Sequence, residues 1–106
     1  MTEPFSVHVQ SVNLAGKSIL LVVLNGDLQY NNPSPDLRSI VLGHLTADVA
    51  GVLIDARHLN MIDSSGLGTL AALTSRVATR GATMIVAGLA PRLQTILEMT
   101  GMRDIF

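Results

Sequence analysis

The sequence predicts one α/β domain with the element order β-β-α-β-α-β-α. It would form a mostly parallel four-stranded sheet with its helices mainly on one side. Short aliphatic runs, KSILLVVL, GVLI and ATMIVA, recur along the chain, separated by stretches of helical apolar spacing. Glycines stand where those helical stretches end, at Gly81 and Gly101. The length, 106 residues, suits a single domain over 1–106 that buries roughly two-thirds of its unfolded surface.

Each element has its own local signal. Phe5, Val7 and Val9 alternate with polar residues, the period of a half-buried strand, here expected at a sheet edge. Lys17 to Leu24 is continuously apolar after its first two residues, which predicts a strand covered on both faces. Gly16 lies between the two, so they should form a hairpin. Gly26-Asp27 breaks the run, and QYNNPSPD leads into a helix. Ser34 suits its cap, Pro35 its first position, and Asp36 the positive end of the dipole.

Leu37, Ile40, Val41, His44 and Leu45 follow at helical spacing. Gly51 to Ile54 reads as a short buried strand ending near Asp55. A helix from Gly66 to Arg80 has Leu67, Leu70, Ala71, Leu73 and Val77 mostly on one side. Ala82 to Ala87 is a further buried strand, and a last helix runs from about Pro91 to Thr100. Alternating strands and helices of this length connect by right-handed crossovers.

Composition excludes several function classes. Apolar residues make up 48% of the chain and mean hydropathy is +0.45. The longest uninterrupted aliphatic run, Ile19 to Leu24, is far short of the ~20 residues that span a bilayer. The N-terminus MTEPFSVHVQ has no basic stretch ahead of an apolar core, so no signal peptide is expected. Without cysteines there is neither a disulfide scaffold nor a thiolate metal site. Together these predict a cytoplasmic domain.

Nucleic acid is a poor partner for a net charge of −1 and for basic residues scattered as Lys17, Arg38, Arg57, Arg76, Arg80, Arg92 and Arg103. Phe5, Tyr30 and Phe106 are too few to stack bases.

The chemistry concentrates in LNMIDSSGLGTLAAL, residues 59 to 73. Gly66-Leu67-Gly68-Thr69-Leu70-Ala71 matches G-x-G-x-x-A, but a dinucleotide cradle needs those glycines directly after a strand and an acid about 20 residues on. Ten residues, 56 to 65, are expected to intervene after the strand, and no acid occurs between Asp63 and Glu98. A nucleophile elbow, G-x-S-x-G, would need glycine where Asp63 stands. His8, His44 and His58 have neither an acid partner nor metal-ligand spacing. No catalytic residue, metal or cofactor is therefore expected.

Two readings of Asp63-Ser64-Ser65 remain open on local chemistry. One is an ordinary helix cap, by Asp63 or Ser64, with two spare hydroxyls. The other is a serine that receives a phosphate in a first helical turn, where free N–H groups and the dipole accept the charge.

The segment Asp55 to Gly68, preceded by GVLI, resembles the signature of STAS domains, and most of all that of small bacterial anti-sigma factor antagonists. Leu24-Asn25-Gly26-Asp27-Leu28 is similar to the family's Gly-Glu-Leu or Gly-Asp-Leu turn, and Leu97 to Met102 to its last helix and exit.

The resemblance implies a non-enzymatic partner-switching module. Unphosphorylated, it would bind an anti-sigma factor that is a serine kinase of the histidine-kinase-like ATPase fold. Phosphorylation would release it, and a PP2C-type phosphatase would reset it. Carried over by position, the acceptor is Ser65, and the partner-binding residues are Asp27, Asp63, Ser64 and Gly66. Where many members have a further Asp, this chain has Gln29, so no kinase or nucleotide contact is carried over there.

The family also implies two alternatives. One is a scaffold subunit that is never phosphorylated, in a lipid-transport ATPase complex or a stressosome-like assembly. The other is a sensor that binds a nucleotide near Asp27 and the 63–66 loop.

Overall fold

The computed structural model describes residues 4–29 and 36–94. Strand β1, Ser6–Leu14, pairs antiparallel with β2, Lys17–Leu28, in a continuous register from Ser6↔Asn25 to Leu14↔Lys17. Ala15 and Gly16, at φ 52° and 81°, make the two-residue turn. Positive φ at both centres matches the right-handed twist of the flanking strands. β1 is an edge strand, and Phe5, Val7 and Val9 face the core, as their spacing predicts.

β2 then pairs parallel with β3, Val49–Ile62, and β3 pairs parallel with β4, Thr83–Ala87. The sheet order is β1-β2-β3-β4. Helix α1, Leu37–His44, connects β2 to β3, and α2, Ser64–Thr79, connects β3 to β4. Both parallel steps advance the same way across the sheet, so right-handed crossovers put both helices on one face. Leu20, Val22 and Leu24 of β2 and Val52, Ile54 and Ala56 of β3 are buried on that face. Leu37 and Val41 of α1, and Leu67, Leu70, Leu73 and Val77 of α2, complete the core.

Several boundaries differ from the sequence reading. β2 does not stop at Leu24 but continues through Gly26-Asp27 to Leu28. Gly26, at φ +86°, absorbs a register shift there, and Pro4 O lies 1.8 Å from where a Cβ would stand. β3 does not end near Asp55 either; residues 58–62 keep pairing with the end of β2, from Asn25↔His58 to Leu28↔Ile62. The partner strand's extra length sustains a segment whose mixed polarity reads as loop.

Among the described residues, helices cover β2 on one face only: Ile19, Leu21 and Val23, on the other, are half-buried. β4 is likewise a half-exposed edge rather than a buried strand, with Ile85 57% exposed. Asp36 is itself the cap of α1, accepting from the N–H groups of Arg38 and Ser39, while Ser34 and Pro35 lie outside the described residues. Residues 91–94 are helical with Leu93 buried; the rest of the expected last helix lies outside the described residues. Among the described residues, no helix is long and apolar enough to cross a membrane.

The one-sided sheet makes burial, not hydrophobicity, decide mutational cost. Leu70→Ala, at a fully buried position, should destabilise by about 2–5 kcal/mol, whereas Ile85→Ala should stay within about 0.5 kcal/mol. Urea unfolding of the two variants checks the contrast.

Candidate functional site

Asp63 follows the last residue of β3 and is the N-cap of α2. Its backbone is extended, φ −106° and ψ −177°, and its carboxylate accepts the Gly66 N–H at 2.8 Å. The Asp63 carbonyl accepts the Leu67 N–H at 2.9 Å, the first intrahelical bond. A short polar side chain in extended conformation is what a helix start selects. Of the two sequence candidates for the cap, Asp63 takes the role.

Ser64 and Ser65 then occupy the first two helical positions, and both are exposed. Backbone N–H groups in a first turn have no partner within the helix, and the dipole's positive end lies there. Ser65 is thus solvent-exposed within that first turn. An anion placed on it would sit in a favourable field.

Gly66 explains why the helix can begin so close to the sheet. A Cβ at this position would lie 2.3 Å from Leu28 O, 2.8 Å from Ile62 Cγ1 and 3.0 Å from Leu28 Cγ. The Asp63 N–H also donates to Leu28 O, at 3.3 Å. The side of Gly66 on which a Cβ would stand is thus filled by β2 and β3. This corrects one of the two sequence arguments against a dinucleotide cradle, since the glycines do follow a strand closely; the missing acid stands, and the packing against Gly66 adds to it. Gly68, one turn into α2, meets nothing within 4 Å.

Asp27 lies at the carboxyl end of β2, paired in register with Met61. It is brought beside the 63–66 segment, but its side chain is only 4% exposed. The Asn60 amide donates to its carboxylate at 2.9 Å. Arg92 in turn donates to the Asn60 side-chain oxygen at 3.3 Å and to its backbone carbonyl. This chain from Asp27 through Asn60 to Arg92 ties the ends of β2 and β3 to the start of the last helical segment. Neither Asn60 nor Arg92 is legible as a site residue, because 32 residues separate them and no local pattern joins them. Met61, 40% exposed, adds an apolar side chain next to the serines in sequence.

Asp55, where the strand was expected to end, lies within β3 and is held by Arg57. The guanidinium donates from Nε to both carboxylate oxygens, at 2.9 and 3.1 Å, and from Nη2 at 2.8 Å. Those hydrogen bonds hold the Asp55 carboxyl below the usual carboxylate range, against the opposing effect of burial. His8, His44 and His58 lie on β1, α1 and β3, and among the described residues no three potential metal ligands converge.

Comparison with known proteins agrees with this fold. A family model of the STAS domain matches residues 13–106. An anti-sigma factor antagonist from Mycobacterium paratuberculosis has the same fold with a TM-score of 0.71 at 19% identity, over 95% of this chain and 83% of its own. The phosphorylated form of the Bacillus cell fate determinant SpoIIAA matches at 0.59 and 15% identity, over 93% and 86%. The murine Solute Carrier 26 family member A9 anion transporter matches at 0.67 and 13% identity over 92% of this chain, which spans only 18% of the transporter. At such identities the shared property is the fold.

Three substitutions read the site. Asp63→Ala should cost about 0.5–2 kcal/mol through loss of the cap. Gly66→Ala should cost about 1–3 kcal/mol, because a methyl driven into Leu28 O outweighs the gain in helix propensity. Gly68→Ala, with open space around it, should instead stabilise by about 0.4–1 kcal/mol. Chemical denaturation of the three variants measures all of this.

The acid limb is a separate test. Asp55 has a lower pKa folded than unfolded, so its contribution is complete above the unfolded value near about 4 and is lost as pH falls below it. In urea midpoints taken between about pH 5 and pH 3, Asp55→Asn should show a shallower decline than the parent chain.

Proposed function

Because the chain belongs to the STAS domain family, we propose that it is an anti-sigma factor antagonist that works by partner switching through Ser65. On this reading it is a cytoplasmic, non-enzymatic regulator. The unphosphorylated form binds an anti-sigma factor with serine kinase activity, of the histidine-kinase-like ATPase fold, and so frees the sigma factor. Phosphate transfer to the Ser65 hydroxyl ends that complex, and a PP2C-type phosphatase restores it.

The observation that carries the proposal is the position of Ser65: exposed, second in α2, immediately after a cap fixed by Asp63. A phosphate there adds about −1.5 to −2 charges beside free backbone N–H groups, so the fold tolerates it. A partner surface fitted to a neutral hydroxyl does not. It would have to desolvate the dianion and face its repulsion of the neighbouring Asp63 carboxylate. The buried Asp27 would act from behind, by holding Asn60 and hence the strand end that presents the loop. Ser64 and the exposed Met61 would make direct contact.

A second reading is favoured by the open face of the sheet. Leu21, Leu53 and Ile85 pair in register as one row across three strands, and among the described residues no helix covers them. An apolar row of this kind suits a scaffold subunit in a larger assembly, such as a lipid-transport ATPase complex or a stressosome-like particle.

Phosphopeptide mapping of the protein isolated from growing and from starved host cells tests the two readings. The switch requires a single phosphate on Ser65 whose occupancy changes with condition. Absence of phosphate in both, with stable co-purification of transport subunits, would establish the scaffold instead. In the switch case, Ser65→Asp should weaken capture of the cognate kinase at least tenfold while leaving the melting temperature unchanged.

A further inference from the structure

The fold gathers three of the seven basic residues of the sequence around one groove between α1 and α2. Its volume is about 520 Å³, and Arg38 enters it from α1, Arg76 and Arg80 from the end of α2. Ser39 and Leu42 line it between them, and Asp36 stands at one end. All three arginines are exposed. Among the described residues the side chains of Arg38 and Arg76 have no hydrogen-bond or ion-pair partner; Arg80 Nη1 reaches Leu45 O at 3.4 Å.

Asp36 does not neutralise the groove. Its carboxylate is taken up by the backbone N–H groups of Arg38 and Ser39 and by the Ser39 hydroxyl, at 3.2, 3.4 and 2.9 Å. Among the described residues, three guanidinium charges against this one carboxylate leave a local charge of +2 on a chain whose net charge is −1.

Helix electrostatics accounts for only part of this arrangement. Arg76, in the last turn of α2, and Arg80, its C-cap, complement the negative end of that helix. Arg38 does the opposite. It is the second residue of α1, at the positive end of the dipole, where a cation is unfavourable. Attraction to the adjacent Asp36 carboxylate offsets part of that cost, and Arg76 and Arg80 stand on the opposite wall.

We propose that this groove docks an acidic peptide segment of a partner protein. Each guanidinium is a planar fork suited to a carboxylate, and Arg76 and Arg80 carry two of them from backbone positions one turn apart, a rise of about 6 Å. Arg38 offers a third from the other wall, and Leu42 gives the aliphatic part of a glutamate an apolar surface. An open groove of exposed arginines holds a single small anion weakly, because solvent and salt screen each pair. A segment carrying several carboxylates engages all three forks together. Arg76 and Arg80 lie about 16 and 22 Å along α2 from Ser65, so a partner can hold the groove whatever the state of that serine.

The test is NMR titration of the isotope-labelled full chain, following backbone amides of α1 and α2 and the arginine Nε–H signals. The probe is an alanine-based helical peptide with glutamate at every fourth position; its glutamine counterpart is the control. Expected is saturable binding mapped to the groove, weakened severalfold by raising the salt. Arg38→Gln combined with Arg76→Gln and Arg80→Gln should weaken it at least tenfold, and Arg38→Gln alone by a measurable part of that. Equal binding of the glutamine peptide, or shifts mapping elsewhere, would overturn the proposal. So would occupation of the groove by inorganic phosphate or phosphatidylserine vesicles when the acidic peptide leaves it empty. Ser65→Ala, assayed in parallel, should bind the peptide unchanged, which separates this site from the switch.

Discussion

The carbonyl of Leu28 is the point where the end of β2, the end of β3 and the start of α2 meet. It accepts the Asp63 N–H and stands 2.3 Å from the place a Cβ on residue 66 would occupy. Helix α2 can begin there only because residue 66 has no side chain. Once it begins there, Asp63 is held in extended conformation to cap it, and the two serines face solvent. Shifting the helix start outward would leave Leu67 and Leu70 short of the core they fill. The proposed switch residue is thus presented by a packing constraint that lies beneath it.

A second constraint is topological. Since β2, β3 and β4 succeed one another in one direction, both crossovers deliver their helices to the same face. That face becomes the core and the other stays open, which leaves an aliphatic row of Leu21, Leu53 and Ile85 half-buried or exposed. The same one-sidedness sets α1 against α2 and creates the arginine-lined groove between them. Three surfaces of different character result: a polar loop–helix junction, an apolar sheet face and a cationic groove. They leave room for more than one partner at a time.

Much of this was legible in residues. Alternation in β1, the aliphatic runs of β2 and β3, the helical spacing of α2 and the stop at Gly81 follow from short-range physics, and the structure has them. The cap was legible as far as Asp63 or Ser64, since either short polar side chain could satisfy a free first-turn N–H; the structure selects Asp63. The extension of β3 to Ile62 was not legible, because its pairing partner is more than thirty residues away. Nor was the extent of burial on β2 and β4, since an aliphatic run reads alike whether one face or two are covered.

Local conformation, the hairpin turn and the order of elements are properties of neighbours along the chain, and the sequence alone carries them. The family signature around Asp63-Ser64-Ser65-Gly66 belongs to the same class, being contiguous. Tertiary structure decided what distant residues do to each other. It turned Asp27 inward onto Asn60, brought Arg92 to the same network, and filled the Cβ side of Gly66 with β2. It also converged Arg38, Arg76 and Arg80, which look scattered in the chain. The physical reason is common to all four: each depends on which strand lies beside which and on which face the helices land. Only the closed set of crossovers determines that.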